Sequence, residues 1–120
     1  MLTVYTYSNC STCRSAVKWL RGKAIAFTER PIRETPPTVA ELRTMLAAQG
    51  GAVKKLFNTS GRDYRELQLG PKLETMGASE ALALLSKNGN LVKRPFLLGP
   101  GVALAGFDEK AWSAALVKVD

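Results

Sequence analysis

The chain has 120 residues, 46% of them hydrophobic and 22% charged, a composition typical of one folded domain. No apolar run approaches the ~20 residues of a membrane-spanning helix, and the amino terminus lacks the basic and apolar regions of a signal peptide. We therefore expect a cytoplasmic protein without membrane contact. The sequence contains no histidine and only two cysteines, which excludes cysteine–histidine nucleophiles, serine–histidine nucleophiles and a tetrahedral zinc site within one chain.

The net charge of +7 is concentrated in the first half of the chain. Residues 1–60 hold nine basic and three acidic side chains, whereas residues 61–120 hold eight and seven. A positive field attracts anions and acidic surfaces, and it lowers the pKa of a nearby thiol. Neither a helix-turn-helix pattern nor a dense run of lysine and arginine accompanies it, so we do not expect direct binding to nucleic acid.

The first thirty residues predict a strand, a helix and a second strand. Residues 2–7 are β-branched and aromatic with alternating polarity, and residues 25–30 form a second β-rich run. Between them, apolar residues recur at helical spacing over residues 13–21, and Gly22 follows where a helix would end. Both cysteines fall at the turn from the first strand into the helix.

The middle of the chain predicts helices and no convincing strand. Thr38 and Glu41 form a capping-box pair, T-x-x-E, in front of an apolar helical face. Ser60 with Asp63 predicts the cap of another short helix through Leu67, with the Gly-Pro pair at 70–71 as its stop. A further helical run precedes the turn sequence Asn-Gly-Asn.

The last part of the chain returns to strands. Residues 96–98 and 102–104 are apolar and flank Gly-Pro-Gly, which predicts a β-hairpin. Asp108 then predicts the cap of a final helix that extends to Val119. This order of elements indicates an α/β fold, in which a four-stranded mixed sheet is interrupted by a helical insertion.

The cysteine pair is the feature with the clearest chemistry. A C-x-x-C spacing at the start of a helix lets a disulfide close, and the unpaired N–H groups there stabilise a thiolate on the first cysteine. Cys10 is therefore the candidate nucleophile and Cys13 the resolving thiol, with Ser11, Thr12 and Arg14 as candidate donors to a bound anion. The alternative is a pair of small buried hydrophobic residues.

Arg94 and Pro95 precede the apolar run of the hairpin. Proline is tolerated at the first position of a strand, so a trans proline that begins the strand is the ordinary interpretation of Pro95. Lys93 and Arg94 are adjacent cations, and they either form a solvated strand end or contribute to an anion site.

Together these segments resemble the arsenate reductase (ArsC)/Spx family. The resemblance rests on TYSNCSTCRSAVKWL at 6–20, ETPPTVAEL at 34–42, LFNTSGRDYRELQL at 56–69, KRPFLLG at 93–99 and ALAGFDEKAW at 103–112. It implies a single domain over residues 1–120 with a thioredoxin-like fold. Residues 1–35 and 91–120 would form the thioredoxin-like part, and residues 36–90 the helical insertion.

The same resemblance implies roles for individual residues. Cys10 would be the reactive thiol next to Arg94, and the bond before Pro95 would be cis, so that Lys93 and Arg94 point towards the cysteine turn. Arsenate reductases of this family use one cysteine and three arginines, and Asn58 and Gly106 stand where the second and third arginines are expected. An oxyanion needs several fixed donors. These departures argue against efficient arsenate reduction.

Cys13 also departs from the arsenate reductase pattern and resembles the C-x-x-C switch of Spx-type regulators. Two functions therefore remain open. The first is a thiol–disulfide oxidoreductase that takes electrons from glutathione and glutaredoxin or from thioredoxin and holds no bound cofactor or metal. The second is a redox-switched regulator that binds the RNA polymerase α subunit, in which closing the Cys10–Cys13 disulfide under oxidative stress alters the docked surface.

Overall fold

The computed structural model describes residues 2–117. In this range the elements are β1 (Leu2–Thr6), α1 (Ser11–Gly22), β2 (Phe27–Pro31), α2 (Val39–Ala48), a 3-10 turn (Val53–Leu56), α3 (Arg62–Glu66), α4 (Leu69–Lys72), α5 (Ala78–Lys87), a second 3-10 turn (Gly89–Leu91), β3 (Phe96–Gly99), β4 (Val102–Ala105) and α6 (Glu109–Leu116).

The four strands form one mixed sheet in the order β2-β1-β3-β4. β1 pairs with β2 in parallel, with Leu2 opposite Phe27, and with β3 in antiparallel orientation, with Val4 opposite Leu97. β3 and β4 form the predicted hairpin. The predicted four-stranded mixed sheet is confirmed, and all elements between β2 and β3 are helical.

The chain packs a hydrophobic core against each face of the sheet, because successive side chains of a strand point to opposite faces. Val4 and Leu97 join Trp112 of α6 and residues of α1 in one core. Tyr5 and Phe96, their neighbours in sequence, belong to the second core, which the helical insertion covers.

Two helices, α2 and α6, begin at the side-chain caps that the sequence predicts. Thr38 and Glu41 form a complete capping box at α2, and the Glu41 carboxylate also accepts a hydrogen bond of 2.8 Å from the Tyr5 hydroxyl. That bond ties β1 to the first turn of the insertion. The Asp108 side chain accepts from two backbone N–H groups of α6. Val119, where the prediction extended this helix, lies outside the described residues.

The insertion comes close to the residue after β2 at Gly89, which is buried. A Cβ atom added there would collide with the carbonyl oxygen of Ile32, which is the residue after β2. Because a backbone oxygen cannot move aside as a flexible side chain can, only glycine fits at this contact. The backbone of the insertion is therefore in direct contact with the backbone segment that follows β2.

Two predicted starts of elements were wrong. β2 begins at Phe27 rather than at residue 25, because Ala24 takes a left-handed conformation (φ 56°) and Ile25 N–H still bonds to the Leu20 carbonyl of α1. The predicted Ser60 cap is also absent from α3. Gly61 occupies that position instead, and its N–H bonds back to Asn58, so the turn continues for one more residue.

The helix predicted to run through Leu67 ends at Glu66, but the Gly-Pro pair is not what stops it. Gly70 and Pro71 lie inside α4 instead of ending α3. Proline is tolerated there because the first N–H groups of a helix have no partner within the helix, so the missing donor costs little.

Candidate active site

Cys10 lies at the cap position immediately before α1, with its backbone extended (φ −133°, ψ 111°). Its Sγ accepts a hydrogen bond of 3.3 Å from the Cys13 backbone N–H. A sulfur in this position replaces the oxygen of an ordinary cap and faces donors that the helix itself leaves unpaired. The short turn after β1 thus places the Cys10 sulfur where backbone N–H groups stabilise its thiolate form.

The pKa of the Cys10 thiol is the balance of opposing effects. Burial raises it, whereas hydrogen bonds from the Cys13 side chain and backbone and the positive charge and hydrogen bond of Arg94 lower it. The lowering effects win, so the pKa of Cys10 falls below its usual value. Cys10 as a residue is half-buried and thus not enclosed in the core.

Cys13 has the opposite character. Its side chain is 1% exposed, and burial together with the hydrogen bond to Cys10 raises the pKa of its thiol to about 12. A thiol with this pKa stays protonated at neutral pH and donates to the neighbouring sulfur instead of competing with it. The pair therefore consists of one accessible, acidic thiol and one buried, protonated thiol.

Arg94 reaches the site from the other half of the chain. The Arg94–Pro95 bond is cis, as the resemblance implied, and Pro95 is buried immediately before β3. The guanidinium carbon of Arg94 lies 4.8 Å from the centroid of the Tyr7 ring. Tyr7 stands in the turn between β1 and Cys10, so this ring supports the cation beside the thiol.

The other residues predicted to bind an anion lie around the cysteine turn in different environments. Ser11 and Thr12 are exposed in the first turn of α1, and Arg14 donates a 2.8 Å hydrogen bond to the Ser8 carbonyl, which braces the cysteine turn. Lys93 is exposed and passes over Gly106, where it would touch an added Cβ at 3.0 Å. The cation that acts on Cys10 is Arg94 rather than Lys93.

The sequence did not indicate three further residues near the site. Tyr7 had the pattern of an ordinary strand residue, yet it contacts both Arg94 and Arg33. Arg33 and Arg62 line one hollow with Tyr7 and Arg94, although they lie far from Cys10 along the chain. Separate segments bring these residues together, so no local spacing could have signalled them.

The profile of the ArsC family matches residues 5–115 of the chain. The chain belongs to the ArsC family. It is 44% identical over 108 residues to the uncharacterized protein YusI of Bacillus subtilis (strain 168), a match that covers 90% of this chain and 92% of YusI. It is 30% identical to the regulatory protein MgsR of the same strain, over 89% of this chain and 83% of MgsR. The global transcriptional regulator Spx of Enterococcus faecalis is 29% identical, over 91% of this chain and 81% of Spx.

Solved structures of ArsC-family proteins have the same thioredoxin-like fold. A crystal structure of an ArsC-family-related protein from Bacteroides fragilis superposes with a TM-score of 0.89 at 44% identity, over 95% of this chain and 96% of that protein. The solution structure of SACOL0876 from Staphylococcus aureus COL gives 0.86 at 38% identity, over 98% and 100%. The C-x-x-C pair therefore stands on an ArsC-family thiol oxidoreductase fold.

Among residues 2–117, no group of three or more histidine, cysteine, aspartate or glutamate side chains could hold a metal ion. Across the same range, each helix is too short or too polar to span a bilayer.

Proposed function

We propose that this ArsC-family protein is a cytoplasmic thiol–disulfide oxidoreductase in which Cys10 is the nucleophile and Cys13 the resolving thiol. The observation that carries the proposal is the contrast between the two sulfurs. Cys10 is accessible and acidic, whereas Cys13, next to it, is buried and protonated. Thiolates and not thiols attack disulfides, so this contrast sets the order of the two steps.

In the first step the Cys10 thiolate attacks one sulfur of a substrate disulfide. The substrate S–S bond breaks, a mixed disulfide forms at Cys10, and the other half of the substrate leaves as a thiolate that takes up a proton. Arg94 and the N–H groups at the start of α1 stabilise the anionic Cys10 before the attack.

In the second step Cys13 loses its proton and attacks Cys10. The mixed disulfide breaks, the second half of the substrate leaves as a thiolate, and a Cys10–Cys13 disulfide forms. Once Cys10 is bonded to substrate, its negative charge and its hydrogen bond no longer raise the pKa of Cys13, and burial alone continues to do so. Two electrons have then passed from the protein to the substrate.

An external thiol must reduce the Cys10–Cys13 disulfide after each cycle. Glutathione with glutaredoxin, or thioredoxin, would supply the two electrons, and both cysteines store them without a bound cofactor. Arsenate is a poorer substrate in this proposal, because Asn58 and Gly106 carry no charge where arginines would hold an oxyanion.

The test is coupled NADPH oxidation with either reducing system, with arsenate and a glutathione mixed disulfide offered separately. We expect turnover of the mixed disulfide that Cys10→Ser abolishes and that Cys13→Ser reduces, since free glutathione can still resolve the intermediate at Cys10. Serine is also a good helix cap, so the Cys10 variant should fold. Normal turnover by Cys10→Ser would end the proposal.

The similarity to Spx and MgsR supports a second candidate, a redox-switched regulator that binds the RNA polymerase α subunit. In that function, closing the Cys10–Cys13 disulfide alters a docked surface instead of completing a catalytic cycle. The test is co-purification with the α subunit under reducing and oxidising conditions, with Cys13→Ser as the variant that cannot switch. Failure to co-purify in either redox state contradicts this candidate.

A further inference from the structure

A small hollow of about 270 Å³ lies beside the cysteine turn, and three arginines from different segments line it. Arg33 follows β2, Arg62 begins α3, and Arg94 precedes β3. Asn58 and Asn90 add amide groups to the same wall. Because Arg94 also acts on the Cys10 sulfur, the hollow and the nucleophile share one cation.

The positive charge of the hollow is left largely unbalanced. Asp63 is the acidic residue that lines it, and one of its carboxylate oxygens already accepts hydrogen bonds from the amides of Asn88 and Asn90, at 3.2 and 3.4 Å. Within the part of the chain that the structure describes, neither Arg33 nor Arg62 forms an ion pair, whereas Arg94 also acts on the Cys10 sulfur. The charge of Arg33 and Arg62 therefore remains available to a bound anion.

Tyr7 holds two of these cations at the wall. The guanidinium carbons of Arg33 and Arg94 lie 5.0 and 4.8 Å from its ring centroid, and Arg33 donates a 3.0 Å hydrogen bond to its hydroxyl. Contact with the ring restricts where these two guanidinium groups lie and leaves N–H groups free to donate. Two of the three cations are thus held in place before an anion binds, which reduces the entropy cost of binding.

A planar anion of two oxygens matches the fork of donors that an arginine presents. We propose that the hollow formed by Tyr7, Arg33, Arg62 and Arg94 binds a carboxylate of the disulfide substrate, so that its sulfur meets Cys10. This inference rests on the proposed oxidoreductase function and adds the chemical class of its substrate. The protein then prefers small disulfides with carboxylates over neutral ones, and neutral ones over cationic ones.

The first experiment compares three small disulfides that differ in charge: 3,3′-dithiodipropionate, bis(2-hydroxyethyl) disulfide and cystamine. In the double variant Arg33→Gln/Arg62→Gln, we expect KM for dithiodipropionate to rise about tenfold or more, as the loss of charged hydrogen bonds implies. KM and kcat for the neutral disulfide should stay within about twofold, because the variant keeps Arg94 and both cysteines.

A matched control removes the same charge elsewhere. Arg43 and Arg65 are exposed and do not line the hollow, so Arg43→Gln/Arg65→Gln should leave the charge preference unchanged. Equal losses for the anionic and neutral disulfides, or the same loss in the control, would overturn the subsite. Absence of turnover with all three disulfides would instead refute the oxidoreductase function.

The second experiment measures binding without turnover. S-methylglutathione carries carboxylates but no reactive sulfur, and its Kd for the Cys10→Ser protein can be followed by NMR titration. We expect the Arg33→Gln/Arg62→Gln changes to weaken its binding at least about fivefold, an effect on the scale of one charged hydrogen bond. A Kd that the two substitutions leave unchanged contradicts the subsite. So does a hollow that binds inorganic phosphate but not S-methylglutathione, since it would then be an oxyanion site.

Discussion

The two faces of the sheet contribute different parts of the site. Among residues 2–117, five buried residues on one face form a small core that seats α1, and Cys10 lies at the start of α1. On the other face, fourteen buried residues form a larger core around the insertion. The cations of the hollow come from that second side, where Arg62 begins α3 and Arg33 precedes the insertion.

This difference separates reactivity from recognition. Cys10 is activated largely by atoms within three residues of it, so any chain that makes this strand, turn and helix acquires much of the activation. The hollow depends on docking of the insertion, which can change without disturbing the cysteine turn. A fold of this kind can keep one chemistry while its substrates change.

Selective alkylation tests the expected difference in reactivity between Cys10 and Cys13, and we expect it to show the largest effect. The thiolate is the reactive form, so a lowered pKa at Cys10 speeds its reaction at pH 7, whereas a pKa of about 12 leaves Cys13 almost wholly protonated. We expect iodoacetamide to label Cys10 at least about a thousandfold faster than Cys13 in the folded protein. Mass spectrometry of singly labelled protein measures the ratio. In urea the two should label at similar rates, and similar rates in the folded protein would contradict the assignment.

The packing of the insertion can be tested at Gly89. In Gly89→Ala the new Cβ collides with the Ile32 backbone, so the insertion must shift, and we expect a loss of about 1–3 kcal/mol in the free energy of unfolding. Urea denaturation measures it. The control is Gly22→Ala at the end of α1, where an added Cβ meets nothing within 4 Å. Equal stability of the two variants would show that the contact is unimportant.

The link between the two sides is Arg94. Its positive charge lowers the pKa of Cys10, so Arg94→Gln should raise that pKa and leave less thiolate at pH 6. We expect the alkylation rate of Cys10 at pH 6 to fall about fivefold. Lys93→Gln removes the adjacent charge and should change the rate by less than about twofold. A larger effect from Lys93 would reassign the cation.

The smallest expected effect concerns the bond between β1 and the insertion. Tyr5→Phe removes the hydrogen bond to Glu41 and should cost about 1 kcal/mol of stability at pH 7. Burial and Glu41 raise the pKa of Tyr5 to about 12 from an ordinary value near 10. The folded state therefore favours the neutral phenol, and this contribution is present below pH 10 and is lost as the pH rises towards 12. Urea denaturation at pH 7 and 11 should show the gap between wild type and variant narrowing, and a constant gap would refute it.

The features that the sequence predicted correctly are those decided by nearby atoms. The capping box of Thr38 and Glu41 needs only side chains three residues apart, and so does the cap at Asp108. The turn that places Cys10 before α1 is equally local. The family resemblance supplied the cis bond at Pro95, which composition and spacing alone did not indicate.

The features that the sequence did not predict depend on contacts between distant segments. The left-handed Ala24 delays β2, and local alternation of polarity contains no sign of it. Arg33 and Arg62 have the appearance of ordinary exposed charges until docking of the insertion brings them to one hollow. In each case the conformation is decided by packing partners that a short window of sequence does not contain.

The outer strand of the sheet has a consequence for how these molecules behave when crowded. β2 forms one edge of the sheet, and the side chains from Thr28 to Pro31 are exposed. A second molecule adding a strand there would have to strip water from Glu29 and Arg30, and Pro31 offers it no N–H. The edge thus discourages growth of the sheet into aggregates. This protection comes from the side chains of β2 alone, so it does not depend on whether the two cysteines are thiols or a disulfide.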